Sequence, residues 1–518
     1  MAPTTGKAYD RRWWTLAVLA MSLLVISLDN TILNVALPTI ERELEASGGD
    51  LQWIVDSYTL VFAGLLLTMG SLGDRFGRRL ALVVGLVVFG AASLLSALAT
   101  SADMLIASRA LMGIGGALIM PSTLSILTNV FPAEERPKAI GIWAAVAGLG
   151  IAVGPVAGGW LIEHFDWSSV FLVNVPIVAL ALAAAPALVP ESRDPAQSRL
   201  DPVGAVLSTA GLGVLTWAII EAGGERGWTD AITLAGLGVA LAALAAFVAW
   251  ELRTATPMLD VRLFRVRRFS GASVSIALVF FSLFGTIFFL TMYLQEVMDY
   301  GALDAGLRVT PVALGLVLGG PLSAKLAGII GTRSVVAGGL AIVALALLVM
   351  SGADAQSGYG LIAGSLALLG LGMGTTMAPA TESIMSSLPL AHAGVGSAMN
   401  DTVRMVGGTL GVAILGSLLS GRYGADMEGA VEGLPVQAQE AAEGSIGGAS
   451  AVAERLGGDT GATLSRVAED AFSSAMGTTL TVAAAVALSG AFVALFVLPG
   501  RERERAEKRA VLAELARA

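Results

Sequence analysis

The sequence predicts an all-α polytopic membrane protein with fourteen transmembrane helices, arranged as two six-helix bundles and two inserted helices. Three observations carry this. The 518 residues are 55% hydrophobic and 14% charged, with a mean hydropathy of +0.77, whereas soluble domains carry roughly 25% charged residues. Almost charge-free windows of about 20 residues recur along the chain, each long enough at 1.5 Å per residue to cross a hydrocarbon core of about 30 Å. Basic residues crowd every second connection between those windows, the pattern expected when Lys and Arg stay on the cytoplasmic side.

The apolar runs lie at 14–40, 51–71, 80–99, 103–130, 139–162, 168–189, 201–220, 231–250, 269–294, 306–326, 334–350, 358–386, 393–420 and 473–498. The first is too long for a cleaved export signal and no small-residue cleavage site follows it. With the N-terminus inside, the inner segments hold Lys7, Arg11 and Arg12, then Arg75, Arg78 and Arg79, then Arg136 and Lys138, then Arg193 and Arg199. Five arginines between Arg253 and Arg268, Lys325 with Arg333, and six basic residues after Gly500 complete 23 of the 31. Outer segments hold six, and Arg109 and Arg404 fall inside spans. An odd count would put the arginine-rich tail outside, so the consistent reading is fourteen spans with both termini cytoplasmic.

The expected organisation is an N-terminal six-helix bundle (1–190), two inserted helices (191–250), a basic cytoplasmic linker (251–268), a C-terminal six-helix bundle (269–499) and a charged cytoplasmic tail (500–518). The linker reads as an interfacial helix with Phe264 and Phe269 as membrane-facing anchors. An extracytoplasmic loop at 421–472, rich in Gly, Ala and acids, reads as short helices or a hairpin. Two internal matches support paired halves. "GSLGDRFGRRLALVVG" from Gly70 and "GPLSAKLAGIIGTRSVVAGG" from Gly320 are both glycine-broken basic turns, and "LMGIGGALIMPSTLSIL" from Leu111 parallels "LGLGMGTTMAPATESIM" from Leu369, Pro121 matching Pro379. Repeat-related halves are a common basis for alternating access. Convergence of Gly-rich membrane helices is the plainer explanation, weakened by the two matches occurring in the same order. The inserted helices have no repeat partner and no charge after Asp201, so they are expected at the periphery.

Several function classes are disfavoured. No cysteine is present, which removes disulfide and thiolate chemistry. His164 and His392 lie on opposite sides of the predicted membrane, away from ligand spacing, so no metal site is expected. No G-x-x-x-x-G-K-[ST] phosphate loop occurs, and no cofactor is implied. The net charge of −9 changes sign loop by loop and gives no nucleic-acid face. A membrane acyl- or glycosyltransferase should concentrate His, Asp and Glu at one interface with long catalytic loops, and a passive channel has no need of repeated halves.

Five motifs together resemble the fourteen-spanner drug:proton antiporters of the major facilitator superfamily, the group of quaternary-ammonium and multidrug exporters. "LDNTILNVALP" from Leu28 is similar to their first-helix motif, departing from it at Asn30. "GSLGDRFGRR" resembles the loop motif between helices two and three, "SRALMGIGGALIMPSTLSIL" the fourth-helix arginine motif, and "GIWAAVAGLGIAVGPVAGGWL" the fifth-helix antiporter motif. "GVGSAMNDTVRMVGGTLGVAILGS" is typical of their late helices. The resemblance covers Trp13 to about Pro499. It implies the superfamily fold and proton-coupled export of lipophilic, mainly cationic compounds by a monomer. Arginine outnumbers lysine 27 to 4, a composition resembling that of GC-rich bacteria; with the apolar spans, the expected location is a bacterial inner membrane, among lipids. A dedicated exporter of one native metabolite, antibiotic or lipid would use the same motifs.

The residues themselves divide by cost. Asp29 stands in an apolar run, where a carboxylate must pair, neutralise or face a wet cavity. It is the first candidate proton carrier, against a purely structural pair. Asp56 begins the second span and reads as a candidate for proton coupling or substrate attraction, against the structural alternative that a helix-start carboxylate is cheap. Arg109 stays charged when buried and needs a partner, either a carboxylate whose proton it would control or the outer surface by snorkelling. Glu382, Asp401 and Arg404 gather near the inner ends of two late spans. Asp401 and Arg404 are three apart and share a face, as a coupling pair or a brace. Glu382 has no basic residue close in sequence and reads as a second protonation or cation-attracting site. Gly73, Asp74, Arg75, Gly77, Arg78 and Arg79 form a tight turn whose sharper reading is a gating brace, with the arginines toward phosphates or acidic helix ends. Gly150, Gly154 and Gly158, with Pro155, line one stripe that permits close helix contact. Trp143, Trp217, Phe284, Phe288, Phe289 and Tyr293 are aromatic candidates for a cavity wall.

Overall fold

The computed structural model describes residues 7–44, 46, 48–193, 201–223 and 226–500. The predicted tail beyond Gly500 lies outside them. Among the described residues, fourteen helices are long and apolar enough to cross a membrane, and none is a strand. They are α1 (Arg12–Glu43), α2 (Gly48–Phe76), α3 (Arg78–Ala97), α4 (Ala102–Val130), α5 (Arg136–His164) and α6 (Asn174–Leu188), the last completed to a span, Ser169–Leu188, by the short helical turn Ser169–Leu172. The hairpin α7 (Pro202–Gly223) and α8 (Ala231–Glu251) follows. Then come α9 (Arg267–Met292), α10 (Pro311–Ile330), α11 (Thr332–Met350), α12 (Tyr359–Met385), α13 (Ala393–Met427) and α14 (Gly458–Val497). The connections α2–α3, α4–α5, α6–α7, α8–α9, α10–α11 and α12–α13 lie at one end, called here the arginine-rich end.

The boundaries follow from local chemistry. Ser101 caps α4 by accepting from the Met104 N–H, and Asp230 caps α8 by accepting from Ile232 and Thr233, satisfying donors that no helix can satisfy itself. The α2–α3 and α10–α11 turns pivot on Gly77 (φ 126°) and Gly331 (φ 87°), a region side chains rarely adopt.

The two halves pack alike. In the first, α4 lies against α2 and α3, α5 against α1, and α6 against α1 and α3; in the second, α12 lies against α10 and α11, α13 against α9, and α14 against α9 and α11. The close approaches correspond residue by residue. Gly113 meets Tyr58 as Gly370 meets Val312, and Gly115 meets Gly85 and Phe89 as Gly372 meets Gly339 and Val343. Gly150 and Gly154 lie on Ser27 and Thr31 as Gly407 and Gly411 lie on Ala277 and Phe281. This contact register differs by one residue from the alignment of Pro121 with Pro379, because close backbone approach at the glycines, rather than the prolines, sets the packing.

Between the halves, α5 packs on α10 and α12, and α13 packs on α2 and α4. The α7–α8 hairpin stands outside both bundles. α8 packs mainly on α7, while α7 touches α2 through Thr209, whose hydroxyl is 3.2 Å from that of Thr68, and α13 through Gly223 against Ala413. The hairpin is closed at its base by Trp250, whose Nε1 donates to both Asp201 oxygens at 2.9 Å.

Two expectations change. The 251–268 linker forms a single 3-10 turn, Val261–Arg265, and not a longer interfacial helix. Phe269 is fully buried in the first turn of α9, edge-on to the exposed Phe264 at 5.2 Å, so it is not a membrane-facing anchor. The 421–472 segment is mostly helix: α13 runs on to Met427, α14 starts at Gly458, and Val436–Gly444 and Ile446–Leu456 lie between. Tyr423 holds this region by donating to the Ala442 carbonyl and packing against Phe472.

Candidate functional site

Asp29 and Arg109 meet inside the first bundle. Arg109 donates to Asp29 Oδ2 at 2.5 Å, and the two side chains are 1% and 0% exposed. Arg109 Nε also donates to the Ile54 carbonyl at 3.2 Å, and its guanidinium lies 4.6 Å from the Tyr58 ring centre. Arg109 is two turns inside α4 and does not snorkel. On the other side, Asn174 of α6 donates to Asp29 Oδ1 at 3.1 Å and lies 3.1 Å from the Ser93 hydroxyl, which itself donates to the Phe171 carbonyl. A buried carboxylate thus has a charge partner, a neutral donor and an aromatic face around that partner, the arrangement that offsets the cost of dehydrating an ion pair.

Asn174 was not among the sequence candidates. Its signal is a single amide in the apolar run "FLVNVPIV", weaker than that of a charge. Asp56, by contrast, is not brought to this cluster. Ile54 and Tyr58 share the α2 face that meets Arg109, and a residue midway between an i,i+4 pair points to the opposite side of the helix. Asp56 is half-buried there.

The glycine stripe of α5 grips α1 next to Asp29. A Cβ on Gly154 would fall on Thr31 Oγ1, one on Gly150 would lie 2.5 Å from Ser27 Cβ, and one on Gly158 would lie 2.9 Å from Ile32. Thr31 also donates to the Gly150 carbonyl at 3.3 Å. The opposite side of α5 meets the second half: Gly141 lies against Gly320, Gly148 against Leu316, and Pro155 against Gly306. α5 therefore connects the helix carrying Asp29 to the other bundle.

At the arginine-rich end the turn around Gly73 to Arg79 joins the halves. Asp74, 4% exposed, accepts from the Gly394 and Val395 N–H groups at 2.8 and 3.0 Å, the orphan donors of the α13 N-terminus. Arg78 donates to Asp74 at 2.7 Å and to the Leu390 and Ala391 carbonyls at 2.8 Å each. Gly70 and Gly394 allow this approach; a Cβ on Gly70 would lie 2.7 Å from Ala398 Cβ and from the Gly394 carbonyl. Arg78 is 1% exposed, so it points into the protein and not toward lipid phosphates. Arg79 pairs with Glu191 at 3.6 Å, and Arg75 lies over the Phe76 ring. Gly73 is buried beside Ala81, and its carbonyl accepts from Gly77.

Glu382 of α12, which has no basic residue near it in sequence, lies 3.8 Å from Arg136 at the start of α5. This is a second contact between halves at the same end. Close by, Arg12 holds Glu135 with two hydrogen bonds of 2.6 and 3.1 Å, and that bonding pulls the Glu135 carboxyl below its ordinary range.

Further in, a cleft between the halves is lined by Ala144, Ala147 and Gly148 of α5 and by Phe280, Leu283, Leu316, Met373, Met377 and Arg404 among others. Arg404 pairs with the buried Asp401 at 3.3 Å and faces Phe280 and Trp143. Of the aromatic candidates, Trp143 is fully buried beside this cleft. Phe284 and Phe288 are 37% and 47% exposed, Phe289 is buried in the bundle, Tyr293 donates to the Asp354 carbonyl, and Trp217 packs against Gly236. Phe280 was missed in the sequence, where nothing separates it from Phe281 and Phe284. Among the described residues no group of three or more His, Asp or Glu is placed to hold a metal ion.

Comparison with known proteins agrees with this architecture. The Major Facilitator Superfamily model matches residues 19–412. The chain is 39% identical over 492 residues to the multidrug efflux pump LfrA of Mycolicibacterium smegmatis, covering 95% of this chain and 97% of that one. It is 37% identical to the tetracenomycin C resistance and export protein of Streptomyces glaucescens, covering 96% and 93% of the two chains. It is 35% identical to the methyl viologen resistance protein SmvA of Salmonella typhimurium, covering 89% and 93%. Among solved structures, the human organic anion transporter MFSD10 matches at a TM-score of 0.63 and 16% identity, over 95% of this chain and all of that one, a likeness of fold alone. Paired bundles, the contact between them and the family match lead to one conclusion: the chain belongs to the Major Facilitator Superfamily, as a multi-pass membrane transporter related to multidrug and toxic-compound exporters.

Proposed function

We propose that the protein is a proton-coupled antiporter that exports lipophilic, mainly cationic compounds from the cytoplasm or inner leaflet of a bacterial inner membrane. The observation that carries this reading is the buried Asp29–Arg109 pair, with Asp29 bracketed by Asn174. A proton on Asp29 removes the carboxylate charge that holds Arg109, so the pair loosens when loaded and tightens when unloaded. α1 meets α5 through the glycine stripe, and α5 meets the second bundle. That contact gives the change a route to the interface between halves.

Positive-inside placement puts the arginine-rich end and both termini in the cytoplasm. The Asp74–α13 latch and the Arg136–Glu382 pair are then cytoplasmic gate contacts, with Arg75, Arg78 and Arg79 in the gate loop. Asp401 is the buried acid behind Arg404 at the cleft wall, and Glu382 serves the gate rather than a second proton site. The pathway lies between two halves of one chain, so a monomer suffices. Relatives named for multidrug efflux and for resistance to methyl viologen, an organic dication, support the substrate class.

The deciding measurement is substrate-induced proton release from purified protein, wild type against Asp29→Asn, compared at several pH values. Asn keeps the shape and hydrogen-bonding capacity but removes titration. Release should be lost in the variant with substrate still bound, and equal release in both would move the exchanging site away from Asp29.

A second reading, export of one native compound with incidental multidrug activity, draws support from the relative named for tetracenomycin C resistance and export. Biosynthetic genes beside this one, and preferential transport of their product, would favour it.

A further inference from the structure

The cleft between the halves has one charged side chain on its wall, Arg404. Its guanidinium carbon is 4.6 Å from the Phe280 ring centre and 5.4 Å from that of Trp143. Trp143 comes from α5 in the first half, Phe280 and Arg404 from α9 and α13 in the second. Trp143 is fixed in place: it is fully buried, and its Nε1 donates to Thr123 Oγ1 at 3.1 Å.

Hydrogen bonding holds Arg404 weakly. A guanidinium has five N–H donors, yet among the described residues Arg404 donates only to Asp401 Oδ1, at 3.3 Å, long for a charge-assisted bond. The other Asp401 oxygen is buried and accepts no hydrogen bond. Arg109 shows what a resident buried arginine looks like here, with Asp29 at 2.5 Å, the Ile54 carbonyl and the Met112 sulfur all accepting from it. Arg404 is stacked more than it is bonded, and the faces of Trp and Phe attract any cation, not a guanidinium in particular.

We propose that Arg404 is a tethered stand-in for the substrate's positive charge. It occupies the cation subsite formed by Trp143, Phe280 and Asp401 when no substrate is present, and a lipophilic organic cation must displace it to bind. The proposal rests on the cation-export reading and deepens it. Arg404 keeps the buried Asp401 charge compensated in the empty cleft, where an unpaired carboxylate would be costly. An arriving cation takes the two ring faces, and Asp401 has a second oxygen with which to hold it or the displaced guanidinium. A neutral lipophile cannot compete for the rings electrostatically, so the displacement step selects for charge. The rings come from both halves, so exchange also replaces a covalently tethered contact across the cleft by a mobile one.

The test is ethidium binding to purified full-length protein in lipid nanodiscs, read by fluorescence, with the uncharged dye N-phenyl-1-naphthylamine in parallel. Arg404→Gln removes the competitor and should tighten ethidium binding about tenfold, equivalent to about 1.4 kcal/mol, with a much smaller gain for the neutral dye. Arg404→Lys keeps a competing cation and should stay near wild type, whereas Asp401→Asn should weaken ethidium about tenfold. If Arg404→Gln proves unstable, Arg404→Met carries the same expectation. Ethidium bound by wild type, but no more tightly by either neutral variant, would overturn the role of Arg404 and leave the cation reading standing. Ethidium bound by none of the proteins while the neutral dye binds would overturn both.

Discussion

Asp74→Asn is the substitution that most directly tests how the two halves are held together. The Asp74 carboxylate is almost fully buried and accepts two backbone N–H groups of the α13 N-terminus as well as Arg78. Asn offers one carbonyl oxygen for the same donors and turns its NH2 toward a second N–H, so one hydrogen bond becomes a donor–donor clash. The charge that complements the helix terminus is lost, and Arg78 is left buried with its two carbonyl contacts at Leu390 and Ala391. Breaking one side of a buried pair costs about 3–5 kcal/mol. About 3 kcal/mol of that belongs to the contact between halves, since Arg78 and Asp74 share one half and keep part of their interaction when the halves separate. At about 1.4 kcal/mol per decade, the closed state of the arginine-rich end should lose about a hundredfold in population ratio. The chain has no cysteine, so single cysteines at the exposed Phe76 and Ile330, at the ends of α2 and α10, can carry spin labels without background. Double electron–electron resonance should show one main distance in the parent and a dominant longer one in the Asp74→Asn protein. An unchanged distribution in folded variant would refute the assignment of Asp74 as the fastening between halves.

Three further outcomes follow from the same contacts. Asn174→Ala removes the neutral donor to Asp29, a bond to a charged group worth about 1.5–3 kcal/mol, and should slow proton-driven ethidium efflux roughly tenfold or more while shifting its pH profile; an unchanged profile would make Asn174 a packing residue. Gly154→Val forces α1 and α5 apart at Thr31 and should abolish efflux and lower the melting temperature, with partial recovery on adding Thr31→Gly, whereas Gly213→Ala on α7, with open space around it, should be tolerated in both measurements. Thr209→Ala removes one hydroxyl contact to Thr68, and Thr216→Ala a buried side chain on the same inserted helix; efflux normalised to protein amount should stay within about twofold, in keeping with a net hydrogen-bond contribution near 1 kcal/mol. Abolished transport by folded protein would place α7 in the pathway.

What could be read from the sequence and what could not separate along physical lines. A span announces itself because every residue in it must tolerate hydrocarbon, so fourteen apolar windows are visible without knowing their neighbours. Asp29 and Arg109 announce themselves too, because a charge in such a window needs a partner and few partners exist. Neutral donors send no such signal: Asn174 looks like any amide until α6 is laid beside α1. Glu382 shows the limit from the other side. Its partner Arg136 is far along the chain, and only the contact of α12 with α5 brings them together. The same holds for Asp74, whose partners at Gly394 and Val395 are backbone groups that no side-chain pattern encodes. The role of Phe269 was misjudged because an aromatic at a predicted boundary is compatible with either face, and only packing chooses.

The paired architecture sharpens the meaning of the buried charges, because the shared contacts identify each residue's counterpart in the other half. Gly113 corresponds to Gly370, so Arg109, four residues before the first, has its counterpart in Leu366. Ser27 corresponds to Ala277, so Asp29 has its counterpart in Val279, and both replacements are fully buried apolar residues. In the other direction, Gly407 corresponds to Gly150, which makes Ala147 the counterpart of Arg404 and Ala144 that of Asp401. Apart from the Asp74–Arg78 pair at the arginine-rich end, each half therefore carries a buried ion pair at positions where the other half is apolar, and the two pairs occupy non-equivalent helices. Symmetric halves alone do not require this placement. Non-equivalent placement is what two different passengers need. In the proposed cycle the saturated pair in the first bundle handles the proton, and the loosely bonded pair facing the cleft handles the organic cation. α5 lies against the first pair's helix through Gly150, Gly154 and Gly158 and supplies Trp143 to the second. One helix then senses both events, and that shared contact, rather than a common carboxylate, couples them.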